Sequence, residues 1–287
     1  MMEIPGVRQS QARRYAEELA GLSAPGRGAS AGRLRLLRAL DQVDELGAAF
    51  AAEGIGWVLV KGVGLSLSVW PDPFLRSFSD LDVFVVPSRF AAAVLVLARL
   101  GYHTAEIPDD SQVHWTFYRD DSSPVELHHV FSREFGSPPS LVERFVATGV
   151  PVPSDETGVL RVPDPAAHLA YVLLHAYNHG FQLSPGWALD VFFMLERHPE
   201  CLAAALAFFP REWPVCLGLR VAALVVPALA DALGAVPAPT LRERALLRVI
   251  ALRFDRGGLS TVDSALLRVL GSPTPLTTLG SMVSRYG

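Results

Sequence analysis

The sequence predicts an α+β chain, with helices at its start, short strands in its middle and a helical second half. Three observations carry this. Apolar residues recur every three or four positions over Arg33 to Glu53, the spacing of an amphipathic helix. Between Ile55 and Val130 the texture changes to short β-rich runs bounded by turn residues. After a proline-rich section, Pro138 to Pro165, helical periodicity returns and continues almost to the end. These changes divide the chain into an N-terminal helical preface (1–54), a core with strands (55–160) and a C-terminal helical domain (161–287). No repeat or long low-complexity tract interrupts them.

Taken in order, Gln9 to Leu19 and Arg33 to Glu53 read as helices separated by a Gly/Ser/Pro-rich break at Gly21 to Gly32. Trp57 to Lys61 is a short strand, and Gly62 to Val69 fits a helix begun by glycines. The strand Asp80 to Val86 follows. Ser88 to Leu100 reads as a helix with Ser88 as its N-cap and Gly101 beyond its end. Val113 to Arg119 and Pro124 to Val130 flank a turn at Asp120 to Ser123, the pattern of a hairpin. Further helices are expected around Ala166 to His179, Trp187 to Arg197, Cys201 to Phe209, Val215 to Leu233 and Leu241 to Phe254.

Composition narrows the function. With half of its 287 residues hydrophobic, the chain can bury a substantial core. A net charge of −4 predicts no general attraction to nucleic acid, although a local basic pocket is compatible with it. Cys201 and Cys216 lie in an apolar stretch and read as reduced and buried. The start has no apolar core of the signal-peptide kind. The longest uncharged runs, such as Val221 to Ala230 with Pro227 inside, are too short to span a bilayer. A soluble, cytoplasmic protein is expected. The five tryptophans are too scattered for a stacking platform and read as core.

The most informative stretch is Arg76-Ser77-Phe78-Ser79-Asp80-Leu81-Asp82-Val83-Phe84-Val85-Val86. Strand side chains alternate faces, so Asp80 and Asp82 point the same way at the mouth of an apolar strand. Two unpaired buried anions would cost several kcal/mol unless a cation or a shared proton neutralises them, and a divalent metal is the favoured answer. Alone, an Asp-x-Asp pair is commonly a turn or a cap. Running into a β-rich segment, with Glu-x-His downstream, it points to metal.

In Val125-Glu126-Leu127-His128-His129, Glu126 and His128 share a face. If that strand lies beside Asp80 to Val86, Asp80, Asp82 and Glu126 converge as hard oxygen ligands suited to Mg²⁺ or Mn²⁺. Such ions can clamp the attacking and leaving oxygens of a phosphoryl displacement. Otherwise Glu126 is an exposed strand residue. Lys61-Gly62-Val63-Gly64 lies between a strand and a helix, where Gly62 and Gly64 would let a triphosphate approach backbone N–H groups. Lys61, the sole lysine among 25 basic residues, would add a point charge to phosphate. Arg76 would either contact the triphosphate or pair with an aspartate and hold its loop.

Gly-Ile-Gly-Trp-Val-Leu-Val-Lys-Gly from Gly54, Trp-Pro-Asp-Pro-Phe-Leu-Arg-Ser-Phe-Ser-Asp-Leu-Asp-Val-Phe-Val from Trp70, Gly101-Tyr102 and Val-Glu-Leu-His from Val125 together resemble the uncharacterised nucleotidyltransferase family of bacteria. That family lies within the DNA polymerase β-like superfamily. His168-Leu-Ala-Tyr-Val-Leu-Leu-His-Ala-Tyr-Asn-His-Gly, followed by Trp187-Ala-Leu-Asp190, is similar to its helical half, so the resemblance covers roughly residues 35 to 195. It implies a mixed sheet flanked by helices, with both aspartates on one strand and Glu126 as the third carboxylate. It also implies transfer of a nucleoside monophosphate from an NTP, ATP among them. Where the superfamily usually carries Gly-Ser, this chain has Lys61-Gly62.

His168, His175 and His179 share one helical face within about 20°, taking roughly 100° per residue. They would close over nucleotide or acceptor, with Asp190 orienting one of them, or else pack as hydrogen-bonded residues joining the two halves. The zinc-helix spacing of His175 and His179 lacks the general-base Glu, for which Ala176 stands.

The resulting expectation is a metal-dependent nucleotidyltransferase, with Asp80, Asp82 and Glu126 as catalytic and metal-binding residues. Lys61, Gly62, Gly64, Arg76, Ser79, His128, His175 and His179 would contact the nucleotide. Its cofactor would be Mg²⁺ or Mn²⁺ and its partners an NTP and a hydroxyl acceptor on a small molecule, peptide natural product or protein. A homodimer is compatible with this, and no membrane partner is expected. A non-catalytic nucleotide-binding or antitoxin-like protein of the same fold is the alternative. A zinc-dependent hydrolase using His168, His175 and His179 is a third.

Overall fold

The computed structural model describes residues 27–104, 113–132, 137–152, 160–181, 186–209 and 213–254. The expected helix Gln9 to Leu19 lies outside them. Two compact units meet in sequence at His168 and Leu169.

The first unit opens with helix α1 (Arg27–Ala52). It starts earlier than the apolar spacing, which begins at Arg33, indicates. Leu36, Ala39, Val43, Leu46 and Phe50 are buried at spacings of three and four and belong to the same core as the strands. Gly54 ends the turn after α1 in the left-handed region, at φ 62°, and the Ile55 amide donates back to the Phe50 carbonyl at 2.9 Å.

Five strands follow: β1 (Trp57–Val60), β2 (Leu81–Val85), β3 (His103–Thr104), β4 (His114–Tyr118) and β5 (Val125–His128). Their order in the sheet is β1-β2-β5-β4-β3. β2 runs antiparallel to β1 and parallel to β5, so the sheet is mixed, as expected. β4 and β5 form the expected hairpin, with His114 opposite His128 and Phe117 opposite Val125. Gln42 of α1 clamps its turn: the side-chain amide donates to the Ser123 carbonyl (2.7 Å) and to the Tyr102 hydroxyl (2.8 Å), and accepts from the Ser123 amide (3.0 Å).

Helix α2 (Lys61–Ser68) begins immediately after β1, and α3 (Phe90–Arg99) follows β2. Ser88 is not the N-cap of α3. Pro87–Arg89 form a 3-10 turn that leads into the helix, and Arg89 occupies the cap without a side-chain hydrogen bond. Pro87 suits that turn because it needs no amide donor there. Within the proline-rich section lie a helix the sequence reading passed over, α4 (Pro139–Ala147), and a two-stranded sheet of β6 (Val150–Pro151) and β7 (Arg161–Val162).

α5 (Pro165–Asn178) begins in the first unit and continues in the second, which also holds α6 (Gly186–Arg197), α7 (Cys201–Leu206), α8 (Trp213–Val225) and α9 (Leu241–Phe254). The expected helix Val215 to Leu233 stops at Val225. Pro227 has no amide to continue it, and Pro227–Ala235 is 3-10 instead. A Cβ on Gly218 of α8 would come within 3.0 Å of the Leu173 carbonyl oxygen, so glycine lets the two helices approach. Thr240 and Glu243 form a capping box at the start of α9. The Glu243 amide donates to Thr240 Oγ1 (3.2 Å) and the Thr240 amide to Glu243 Oε2 (2.7 Å). Cys201 and Cys216 are both buried. Among the described residues, no helix is long and apolar enough to cross a membrane.

Candidate active site

The site is assembled where β1 ends and β2 and β5 run side by side. The apolar run Leu81-Asp82-Val83-Phe84-Val85 is buried throughout, so Asp82 lies 4% exposed within a strand that its neighbours hold in the core. The parallel register sets Asp82 directly beside Glu126 and Phe84 beside His128. Side chains in register share a face, so Glu126 and His128 turn toward Asp82 rather than away from it. Asp80 precedes the strand by one residue and is partly exposed. The Ser79 hydroxyl donates to its Oδ2 at 3.2 Å.

Lys61 closes the corner. Val60 pairs with Asp82 at the end of β1, and the next residue turns into the left-handed region at φ 51°. That turn brings Nζ to 2.5 Å from Asp82 Oδ1 and 4.0 Å from Glu126 Oε2. The sequence reading aimed this ammonium at phosphate. In the fold it first neutralises an aspartate.

The turn is held from behind by His168, buried at the start of α5. Its Nε2 accepts the Lys61 backbone N–H at 3.1 Å. Burial pushes the His168 pKa down to about 3, opposed by the nearby Asp82 charge, so the ring is neutral and Nε2 offers its lone pair. The histidine stripe is thereby divided. His168 is committed to Lys61, whereas His175 and His179 lie in the second unit with ring centroids 4.3 Å apart.

Both glycines of the Lys61–Gly64 turn are packed. A Cβ on Gly64 would lie 2.7 Å from the Leu59 carbonyl oxygen and 3.2 Å from the Val162 side chain. One on Gly62 would meet Phe78 Cβ at 3.2 Å. The volume freed at these positions is thus filled by the protein itself. Arg76 donates to the neighbouring Ser77 carbonyl.

His128, 2% exposed, donates from Nε2 to Asp82 Oδ1 at 3.1 Å and stands 3.4 Å from Glu126 Oε2, its ring stacked near Phe84. His114 was not among the sequence candidates. Its Nε2 lies 3.7 Å from Glu126 Oε1 and its ring 4.7 Å from that of His128. The signal was present in the hairpin, whose turn at Asp120 to Ser123 sets His114 opposite His128.

The charges explain each other. Burial acts to raise the Asp82 pKa, but Lys61 and His128 outweigh it and hold the carboxyl well below the usual range. Burial also opposes ionisation of Glu126. The His128 contact, aided by Lys61 and His114, overcomes both that and the like charge of Asp82, and the pKa falls. Asp80 goes the other way: burial first, then the charges of Asp82 and Glu126, raise its pKa from 3.8 to about 6. Burial and the proximity of His128 lower that of His114.

Three carboxylates against one ammonium leave an excess of two negative charges around this corner. The oxygen-rich donor set of Asp80, Asp82 and Glu126 therefore fits a hard dication, whose two charges would cancel the excess.

A family model described as uncharacterised nucleotidyltransferase matches residues 29–230. Among solved structures, the chain is similar to the solution structure of the antibiotic-resistance factor ANT(2'')-Ia, at 13% identity over 59% of this chain and 92% of that one, with a TM-score of 0.41. The crystal structure of ANT(2'')-Ia in complex with adenylyl-2''-tobramycin gives 12% identity over 58% and 95%, with a TM-score of 0.42. An antigenic nucleotidyltransferase-like protein from Paracoccidioides brasiliensis gives 16% over 69% and 93%, also at 0.42. No curated protein matches the chain in sequence. The family match spans every strand of both sheets and the helices through α8, and the chain belongs to the uncharacterised nucleotidyltransferase family.

Proposed function

We propose that this chain transfers a nucleoside monophosphate from an NTP to a hydroxyl acceptor and releases pyrophosphate in the cytoplasm. The observation that carries the reading is the register of Asp82 and Glu126 on adjacent parallel strands, with Asp80 at the mouth and Lys61 against Asp82. Asp80, Asp82 and Glu126 would hold Mg²⁺ or Mn²⁺, which when bound offsets the charge of the triphosphate and polarises the α-phosphate.

The remaining roles belong to the chain itself. Glu126, ionised at neutral pH by its lowered pKa, accepts the proton of the attacking hydroxyl. The hydroxyl oxygen forms a bond to the α-phosphorus, the bond from that phosphorus to the bridging oxygen breaks, and the electron pair leaves with pyrophosphate. Lys61 shifts between Asp82 and the incoming phosphates, and Arg76 and Ser79 border the same mouth. Gly62 and Gly64 keep the turn at the head of α2 tight enough for its backbone amides to face phosphate. His128 holds Asp82 and Glu126 in place. The acceptor is a small molecule, a peptide natural product or a protein hydroxyl.

The test is incubation with each α-labelled NTP, Mg²⁺ or Mn²⁺ and a panel of hydroxyl acceptors. Label transferred to an acceptor with stoichiometric pyrophosphate, abolished by Asp80→Asn and by Asp82→Asn, is the expected result. Nucleotide bound without pyrophosphate release, or turnover unchanged in both variants, would refute the proposal.

A further inference from the structure

We infer that His114, Glu126 and His128 form a second, nitrogen-rich metal site that takes a first-row transition dication of the Zn²⁺ type. The hairpin register fixes the two rings opposite each other on β4 and β5, with Glu126 two residues from His128 on the same face. One ligand atom from each residue lies within 4.8 Å of the others. The contacts to the glutamate, 3.4 Å from His128 Nε2 to Oε2 and 3.7 Å from His114 Nε2 to Oε1, are near the spacing of donors around one ion, because bonds of about 2.0–2.1 Å in a tetrahedron separate ligand atoms by roughly 3.4 Å.

One further feature favours an ion over a structural cluster. The site has an entrance: the His114 and Glu126 side chains are 26% and 21% exposed, while His128, at 3%, forms the floor. Lys61 leaves the glutamate available, since its ammonium is 2.5 Å from Asp82 and 4.0 Å from Glu126.

Imidazole selects Zn²⁺, Co²⁺ or Cu²⁺ over Mg²⁺, whereas the aspartate side of the corner selects hard ions. Glu126 would then be shared between two unlike sites. Ligation through His128 Nε2 exchanges its hydrogen bond to Asp82 for the ion. The inference requires only that an ion bind, so it stands or falls separately from nucleotidyl transfer.

The experiment titrates the metal-free full-length chain with Co²⁺ and follows its visible ligand-field absorption, with Zn²⁺ and Mg²⁺ as competitors. The expected outcome is one Co²⁺ displaced by equimolar Zn²⁺ but not by a large excess of Mg²⁺. His114→Ala should weaken binding at least about 10-fold, the least that loss of a metal-site residue produces, while Asp80→Asn leaves it within about 2-fold. Pulsed electron resonance of Cu²⁺ bound to the unaltered chain should show imidazole nitrogen, a readout that no misfolded variant can confuse. Absence of nitrogen coupling, full competition by Mg²⁺, or a folded His114→Ala that binds Co²⁺ like the parent would overturn the site.

Discussion

Replacing Asp80 by asparagine preserves the shape of the side chain and an oxygen for the Ser79 hydroxyl, and removes one of three crowded negative charges. The carboxyl's pKa is raised from 3.8 to about 6, so the folded chain holds that proton more tightly than the unfolded chain. Stability is therefore lost as the pH rises from about 4 to about 6, and it stays lost above that range. At about 1.4 kcal/mol per tenfold change in proton affinity, the full difference is about 3 kcal/mol. Because the group remains partly in solvent, screening reduces the expected share to about 1–2 kcal/mol. Without divalent ions at about pH 8, Asp80→Asn should melt about 2–8 °C above the parent, taking about 2–4 °C per kcal/mol. Thermal unfolding followed by the fluorescence of the buried Trp57 and Trp70 reads the unit that holds the site. At about pH 4 most of the advantage should be gone, and below about pH 3, where folded and unfolded Asp80 are both largely protonated, it should vanish. Mg²⁺ should raise the parent's stability more than the variant's. A variant less stable than the parent at about pH 8, or equally advantaged at about pH 8 and about pH 3, would refute the reasoning.

Asp82→Asn should have the opposite sign. It strips Lys61 of a buried counter-charge and weakens the acceptor of His128, at a cost of about 3–5 kcal/mol in urea unfolding at neutral pH that shrinks below about pH 4. His168→Phe leaves the Lys61 amide without its acceptor and should cost about 1–3 kcal/mol at about pH 8, a cost that shrinks as the pH falls through about 6.5 toward 5, because the unfolded His168 takes up a proton there and the folded one, with its pKa near 3, does not. Gly64→Ala should destabilise by about 1–3 kcal/mol, since its Cβ would press on the Leu59 carbonyl, whereas Gly234→Ala, open on every side, should leave the urea midpoint unmoved.

Much of the site can be read from local pattern, and what escapes is long-range. The period-2 alternation that pairs Asp82 with Val83 and Glu126 with Leu127 is a property of a few residues, so the facing of each strand is legible. That β5 lies beside β2, with position 82 at 126, depends on topology, and the sequence supports it only as a condition. The resemblance to a family supplies the rest. His114 was legible in principle, by counting back from the hairpin turn. The bond between Lys61 and His168 joins residues 107 positions apart and has no local signature. Likewise the proline-rich section hides α4, because Pro139 at a helix start needs no amide donor and so does not end the helix.

Lys61 has one more consequence. Every other cationic side chain outside the histidines is a guanidinium, so an amine-directed acylating reagent meets a single side-chain target in the whole chain, and that target sits against Asp82 at the acidic corner. The rate of its acylation is consequently a direct gauge of how tightly the corner is closed, with no background from surface lysines to subtract.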